Sequence, residues 1–429
     1  KLILMVHFNT IEIVATSLFA LALLHTFLAS RVEHLSHVYP KHAGLFHLLG
    51  EVEVVFGLWA AILVLAISVI DSSHSAISYL ESRNYNEPML VFVLMVIAAS
   101  RPLIEAAGSI NDQLAPLLPL NPMVARFLVV MSVMPLLGSF ITEPAAMTVA
   151  ALLLREQFLR HDLPPWFKYA TIATLFVNIS IGGALTPFAA PPVLMVAAKW
   201  DWDIGFMISQ IGWRSALAVS LNAAVLTWIG KRWLRALPPN TQVADQKIHG
   251  KKVPVSVTLI HITFLATAVA FHHYPVVFMG LFLLFLGYTA AYPMYQKRLM
   301  LREALLVAFF LAGLVVLGGL QAWWLQDLLT GLTPTVLFFS ATALTAITDN
   351  AAITYLGSLV EGTDAAFRYA LVTGALAGGG LTVIANAPNP AGYSLLKDCF
   401  PEKTIAATRL FLWALPPTLV AIAAFLLLP

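Results

Sequence analysis

A single cysteine, Cys399, occurs in 429 residues, and charged side chains make up only 11% of them. One cysteine excludes an internal disulfide framework and any cysteine-cluster metal site. So few charges cannot cover a water-facing surface, because soluble domains carry about 25% charged residues. The short alternating strands of a membrane barrel are missing, as are HExxH and other hydrolase signatures. Nucleic-acid binding has no footing either: the net charge is only +2, and the basic residues sit between apolar runs, where they orient a chain in a membrane. The first apolar run, 11–29, lacks a small-residue cleavage site followed by a soluble domain, so it reads as a spanning helix and not as a signal peptide. A chain that opens on Lys1 rather than Met is expected to continue upstream.

What is present is apolar. Hydrophobic residues reach 59% and the mean hydropathy is +0.84. Apolar runs fall near 11–29, 52–70, 89–106, 124–154, 167–199, 205–229, 254–272, 275–292, 303–320, 333–360, 367–396 and 405–428. At about 1.5 Å per residue such runs cross a hydrocarbon layer of about 30 Å, and helices are the default there because each satisfies its own backbone. The expected fold is an all-α polytopic membrane protein. Two runs, 124–154 and 333–360, are interrupted midway, the first by Pro135, Gly138, Ser139, Thr142, Glu143 and Pro144, the second by Thr345, Thr348, Asp349 and Asn350. Each reads as a re-entrant hairpin of two short helices meeting at a tip inside the membrane. The run after each hairpin is also broken, from Gly182-Gly183 to Pro191-Pro192 and from Gly378-Gly379-Gly380 to Pro390.

Basic residues check that reading. Lys231, Arg232, Arg235, Lys247, Lys251 and Lys252 crowd one connection, the strongest cytoplasmic candidate. If each hairpin enters and leaves on one side, Arg31, Lys41, Arg155, Arg160, Lys168, Lys297, Arg298, Arg302, Lys397 and Lys403 fall on that same side. The expectation is ten crossings plus two hairpins, with both termini outside.

The interruptions repeat. Ser139-Phe140-Ile141-Thr142-Glu143-Pro144-Ala145-Ala146 pairs with Thr345-Ala346-Ile347-Thr348-Asp349-Asn350-Ala351-Ala352, and Gly182-Gly183-Ala184-Leu185-Thr186 with Gly378-Gly379-Gly380-Leu381-Thr382. Each half then has five crossings, an odd number, so the second copy is inverted relative to the first. Inverted repeats with broken helices can expose a midplane site to either side in turn. The expected division is 1–123, first-half scaffold helices; 124–204, first hairpin and broken helix of a transport domain; 205–332, sixth span, cytoplasmic linker and second-half scaffold; 333–404, second hairpin and broken helix; and 405–429, the final span.

Acids inside apolar hairpins are expensive and usually face a cavity or a partner, which singles out Glu143 and Asp349 as ion or proton ligands. Pairing with a buried base, or capping of the following half-helix, would also explain them. Thr142, Thr348, Asn178, Thr186, Asn350, Asn386 and Asn389 offer neutral oxygens and amides beside the breaks, either to line a site or to repair broken ladders. Gly182, Gly183, Gly378, Gly379, Pro192 and Pro388 are the backbone breaks themselves. Arg214 is a candidate counter-charge or an interfacial snorkel, and Arg101 with Glu105 can pair across one helical turn. Glu51 and Glu53 begin a span. His34, His37, His42 and His47 suggest a metal cluster or pH sensor, but irregular spacing favours neither.

Ser340 to Ala352 (SATALTAITDNAA) and Thr373 to Pro390 (TGALAGGGLTVIANAPNP), with their counterparts Gly138 to Ala146 (GSFITEPAA) and Asn178 to Pro192 (NISIGGALTPFAAPP), carry a family resemblance. In them the chain resembles the sodium/proton antiporter branch of the broad ion-transporter superfamily that also holds NhaD-type antiporters, divalent-anion/sodium symporters and arsenite permeases. The resemblance implies a homodimer in which a transport domain of hairpins and broken helices moves elevator-fashion past a scaffold, with site residues mapping onto Asp349-Asn350 and Asn386. At the first tip Glu143-Pro144 replaces the expected amide with an acid, and two acids repel an anionic substrate. The expectation is a secondary transporter in a bacterial inner membrane, exchanging sodium or lithium held by Glu143 and Asp349 for protons, with no cofactor and no enzymatic activity. Sodium-coupled anion transport is the nearest rival, with Arg214 and half-helix ends holding the anion. An intramembrane enzyme is a more remote one.

Overall fold

A computed structural model describes residues 10–238, 252–400 and 403–428, and every regular element among them is helical. Lys247 and Lys251 lie outside the described residues, as do the side chains of His37 and Glu53. In chain order the first helices are α1 (Thr10–Val38), α2 (Ala43–Gly50), α3 (Val52–Ile70), α4 (Ser73–Glu81), α5 (Asn86–Ala98), α6 (Arg101–Leu114), α7 (Pro122–Ile141), α8 (Glu143–Leu154), α9 (Pro165–Gly182), α10 (Pro191–Ala197), the short α11 (Ile204–Phe206) and α12 (Trp213–Ala236). Then follow α13 (Val255–Ala270), α14 (Pro275–Ala291), α15 (Leu301–Gly318), α16 (Ala322–Thr330), α17 (Pro334–Thr345), α18 (Asn350–Ser358), α19 (Ala365–Gly378), α20 (Asn389–Leu396) and α21 (Ala407–Leu427).

Four helices among the described residues, at Pro122–Ile141, Pro165–Leu185, Leu301–Gly318 and Ala407–Leu427, are individually long and apolar enough to cross a membrane, and the number rises to six if each of two bent pairs is one span. One bent pair is the run 89–106, which turns by 66° between α5 and α6. The two hairpin runs break where their polar residues fall, but their first arms are unequal. α7 has 20 residues and α17 has 12, so α7 alone is about 30 Å long, a full hydrocarbon thickness, and not a short arm.

Local chemistry explains where the helices start. α7 begins with the Asn121 side chain accepting from the Met123 amide and Pro122 in the first turn, and α19 with Asp364 accepting from the Phe367 amide. After the breaks, α8 has Pro144, α10 Pro191 and Pro192, and α20 Pro390 in the first turn. A missing N–H costs nothing there and the ring presets the helical angle.

The chain forms two compact units. One comprises Lys1–Phe92, Leu301–Leu332 and Tyr355–Thr363. In it α3 lies against α15 so closely that a β-carbon on Gly313 would sit 2.4 Å from the Gly57 amide nitrogen, a small-residue contact of the kind that lets membrane helices approach. Phe56 packs edge-on against Phe310 and Phe19 beside it, at 5.2 and 5.9 Å between ring centres. Gly313→Ala must push backbone from backbone, so we expect a loss of about 1–3 kcal/mol, read as a lower unfolding temperature in detergent.

The other unit comprises Val93–Met300, Thr333–Thr354 and Asp364–Pro429. Its centre is α9, buried without interruption from Tyr169 to Gly182. α7, α8, α12, α19 and α21 all pack on α9, while α17 packs along α19 and α8 against α20. At one end the rings of Trp166, Trp233 and Trp413 meet, with Trp166 5.3 Å from Trp233 and 5.6 Å from Trp413. Arg232 lies over Trp233 and Lys231 over Trp228, the mixture of aromatic and basic groups that suits a membrane interface.

Candidate functional site

The interruption between α7 and α8 (the first tip), the one between α17 and α18 (the second tip) and the two glycine breaks come together inside the second unit. Glu143 begins α8 and is completely buried. Its Oε2 accepts a hydrogen bond from Asn386 Nδ2 at 2.7 Å, a bond between the first tip and the second break. Its Oε1 has no hydrogen-bond partner and lies against Gly183, where a β-carbon would be 2.4 Å away. Glycine at 183 is therefore what admits the carboxylate to the first break. The residue before Glu143, Thr142, is held at φ 73°, a backbone state that costs a β-branched residue about 1–3 kcal/mol and that concentrates at functional sites. Its Oγ1 is buried and unpartnered.

The second tip is built differently. Asp349 is half-buried, and its Oδ1 accepts from the amides of Ala351 at 2.8 Å and Ala352 at 3.4 Å, so the carboxylate caps the start of α18. Asp349 lies within electrostatic reach of Glu143. The next residue, Asn350, is completely buried. Its amide N–H donates to the Ala385 carbonyl at 3.1 Å, while its side-chain oxygen and nitrogen have no partner. Gly379 makes room for it, since a β-carbon there would lie 2.8 Å from Asn350 Nδ2 and 2.2 Å from Ser180 Oγ. Replacing Asp349 by Ala should cost about 1 kcal/mol of stability through the lost cap, whereas Asn, also a good cap, should retain most of it. Thermal unfolding of the two variants side by side checks this.

Further polar groups divide into spent and unspent. Asn178 donates to the carbonyls of Met131 at 2.9 Å and Val219 at 3.3 Å, and its oxygen accepts from Asn222 at 3.0 Å. Thr186 Oγ1 donates to the Ser139 carbonyl at 2.5 Å, and Thr348 Oγ1 to that of Leu344 at 2.8 Å. Asn389 Nδ2 donates to the carbonyls of Gly379 and Thr382, both at 2.8 Å, which ties together the two edges of the second break. Among the residues singled out at the tips and breaks, buried acceptors left unspent include Glu143 Oε1, Asn350 Oδ1, Asn386 Oδ1, Asn389 Oδ1 and Thr142 Oγ1. Buried polar atoms are ordinarily paired, so several orphaned oxygens in one unit have the chemistry of a site for a small cation stripped of water.

The breaks match across the two halves. Thr186, just past the first glycine break, donates to a carbonyl at the first tip, and its counterpart Thr382 donates to Ala346 at the second, at 2.8 Å. A β-carbon on Gly182 would meet the Pro135 carbonyl of α7 at 2.7 Å, and one on Gly378 the Thr342 carbonyl of α17 at 2.4 Å. Pro192 and Pro388 are buried where α10 and α20 begin. Ser180 and Asn222 were not singled out from the sequence, and Thr345 was read only as part of the second interruption. Ser180 donates to the Leu376 carbonyl at 2.8 Å, and Thr345 is fully buried with its hydroxyl unpartnered. A polar residue in the middle of an apolar span is the signal that would have found Asn222.

The candidate charges take separate places. Arg101 Nε binds Glu105 Oε1 at 2.6 Å on α6. Arg214 donates to the carbonyls of Gln210 and of Leu428 and lies over the rings of Trp213 and Tyr369. No basic side chain pairs with Glu143 among the described residues. No group of three or more His, Cys, Asp or Glu side chains suited to a metal ion is found among the described residues.

An apolar all-helical chain with discontinuous helices and buried polar breaks is an integral membrane protein of the polytopic, carrier-like class. The profile of the family described as "Putative Na+/H+ antiporter" matches residues 10–428, and the chain belongs to that family. It is thus a secondary transporter and not an enzyme. A comparison with curated proteins gives no match.

Proposed function

We propose that the protein exchanges sodium or lithium for protons across a bacterial inner membrane, with the cation held between the first hairpin tip and the second break. The observation that carries this reading is Glu143, a fully buried carboxylate bonded to Asn386 on one oxygen and unpartnered on the other. Burying an anion without a base is costly enough that a cation or a proton must neutralise it. Asn350, Asn386, Asn389 and Thr142 supply further oxygens, and Asp349 adds a negative field from the second tip. Competition of sodium and proton for one carboxylate is sufficient for exchange.

The matched contacts support an inverted repeat. Ser180 and Leu376 are equivalent positions in the two copies, and they touch each other, as positions near a two-fold axis do. The meeting of Trp166, Trp233 and Trp413 supports placing the start of α9, the end of α12 and the start of α21 on one side, the side that basic residues assign to the cytoplasm. In this reading segments 124–204 and 333–404 move together as the transport domain of a homodimer, elevator-fashion, while the remainder serves as scaffold, and both termini lie outside. Labelling of cysteines introduced near Lys231 from the outside of intact cells would reverse the assigned orientation.

The test is reconstitution of the purified chain in liposomes with an internal pH indicator. Adding sodium or lithium should collapse an imposed pH gradient, and the concentration needed should rise by up to about tenfold per unit of falling pH where proton and cation compete. Sodium movement that requires an added anion would instead establish the symport reading, which Arg214, engaged with Gln210, Leu428 and two rings, does not favour.

A further inference from the structure

α12 and α21 run antiparallel in the second unit, since Asn222 of α12 donates to the Pro417 carbonyl of α21 and Arg214 of α12 to the carbonyl of Leu428, just beyond α21. The end of α12 therefore lies beside the start of α21. Both ends carry arginines laid on aromatic rings, Arg232 with its guanidinium carbon 4.5 Å from the centre of Trp233 and Arg409 with its own 5.8 Å from that of Tyr169. The rings between them are continuous through α9. Trp233 meets Trp166, Trp166 meets Trp413, and Trp413 lies one helical turn from Arg409. We infer that this junction is a binding site for the headgroup of an anionic phospholipid, with Arg232 and Arg409 as its phosphate-binding side chains. The inference does not depend on the antiport reading.

Charge is the first argument. Lys231, Arg232, Arg235 and Arg409 are all exposed, and none of them has a carboxylate partner among the described residues. A ring face attracts a cation but carries no net charge, so positive charge is left over at this end of the two helices. The planar fork of arginine fits phosphate oxygens two at a time, and stacking on a ring removes in advance some of the rotamer freedom that binding would cost.

What selects a lipid over a free anion is the surface that leads away from the arginines. On α12 the exposed residues Leu217, Leu221, Val225 and Trp228 follow one another at helical spacing and lead to Arg232, a single stripe of the helix. From Leu217 to Trp228 that stripe is about 16 Å long at about 1.5 Å per residue, roughly half of a hydrocarbon layer of about 30 Å and so the depth of one leaflet. Leu412 and Leu419, also exposed, lead away from Arg409 along one face of α21. A phosphate at the arginines thus has apolar side chains on both helices for its acyl chains. A second copy of this chain on the same face would set like charges against each other across a two-fold axis, which disfavours that occupant.

The experiment uses the purified full chain in a neutral detergent, titrated with dioleoyl-phosphatidylglycerol or dioleoyl-phosphatidylcholine and read by native mass spectrometry and thermal unfolding. Phosphatidylglycerol is expected to bind more tightly and to raise the unfolding temperature more, a comparison that needs no variant. In the double variant Arg232→Gln, Arg409→Gln its affinity should fall by about fivefold per guanidinium removed, and with lysine at both positions most of it should remain. The exposed pair Lys297 and Arg298 supplies the control, because Lys297→Gln with Arg298→Gln removes the same charge elsewhere and should leave the affinity unchanged. Equal binding of the two lipids overturns the inference, as does an equal loss in the two glutamine pairs or a preference that survives Arg232→Gln with Arg409→Gln. Displacement of the lipid by millimolar inorganic phosphate, beyond that by sodium chloride of equal ionic strength, overturns it in favour of a free-anion site.

Discussion

Glu143→Gln is expected to leave a folded protein that no longer couples sodium or lithium to protons. Glutamine keeps the size of the side chain and an oxygen for the bond from Asn386 Nδ2, so the first tip can remain packed on the second break. What it loses is the charge and the ability to take up a proton. A buried charge contact is worth about 3–5 kcal/mol to its partner, so apparent cation affinity should fall by at least about 100-fold, and the dependence on pH should vanish with it. The measurement is cation-induced collapse of a pH gradient in liposomes, run beside a size-exclusion profile that confirms the folded state. Wild-type coupling in the glutamine variant would move the exchanging carboxyl elsewhere, with Asp349 the first candidate.

Gly380→Ala is expected to cost more in stability than any other single methyl group in the second unit. A β-carbon at 380 would stand 2.3 Å from Val177 Cα and 2.4 Å from Val177 N. These are backbone atoms of α9, which is buried from Tyr169 to Gly182 and cannot step aside as a flexible side chain could. The intrusion must separate the second break from α9, and the adjacent bond from Ser180 Oγ to the Leu376 carbonyl would be strained with it. Overpacking of this kind costs about 1–3 kcal/mol and sometimes more, and here we expect the upper end, with transport lost together with thermal stability. Gly280→Ala is the matched control. Nothing lies within 4 Å of a β-carbon there, and alanine in a helix interior is favoured over glycine by about 1 kcal/mol. Equal unfolding temperatures for the two variants would show that α9 yields more readily than its burial implies.

The contrast between these two glycines shows what a sequence can carry. Gly280 and Gly380 are the same letter within apolar stretches, and only the neighbouring backbone distinguishes them. The four interruptions, by contrast, were legible as a pattern. Glycine, proline and acid in the middle of an apolar run violate a local rule of membrane helices, and a violation can be read without knowing what surrounds it. The helix starts that follow them were legible for the same reason, because Pro144, Pro191 and Pro390 act on their own backbones.

Lipid exposure, helical class and the positions of the breaks were thus determined by the sequence alone, through composition and local backbone chemistry. Which polar groups remain free was decided only by tertiary structure. Glu143 and Asp349 look interchangeable in the two repeats, yet one meets an asparagine from the opposite half and the other caps its own helix. Asn178 and Asn350 look alike beside their breaks, but the first spends its amide on carbonyls of Met131 and Val219 and the second spends nothing from its side chain. A hydrogen bond consumes a donor or acceptor at a particular point in space, and the partners here come from 41 to 243 residues away along the chain. No periodicity or motif records such a partner. The length of α7 belongs to the same class of fact, since Pro135 lies inside a continuous 20-residue helix. The sequence marks that proline as a break, and packing against α8, α9 and α12 lets the helix continue through it.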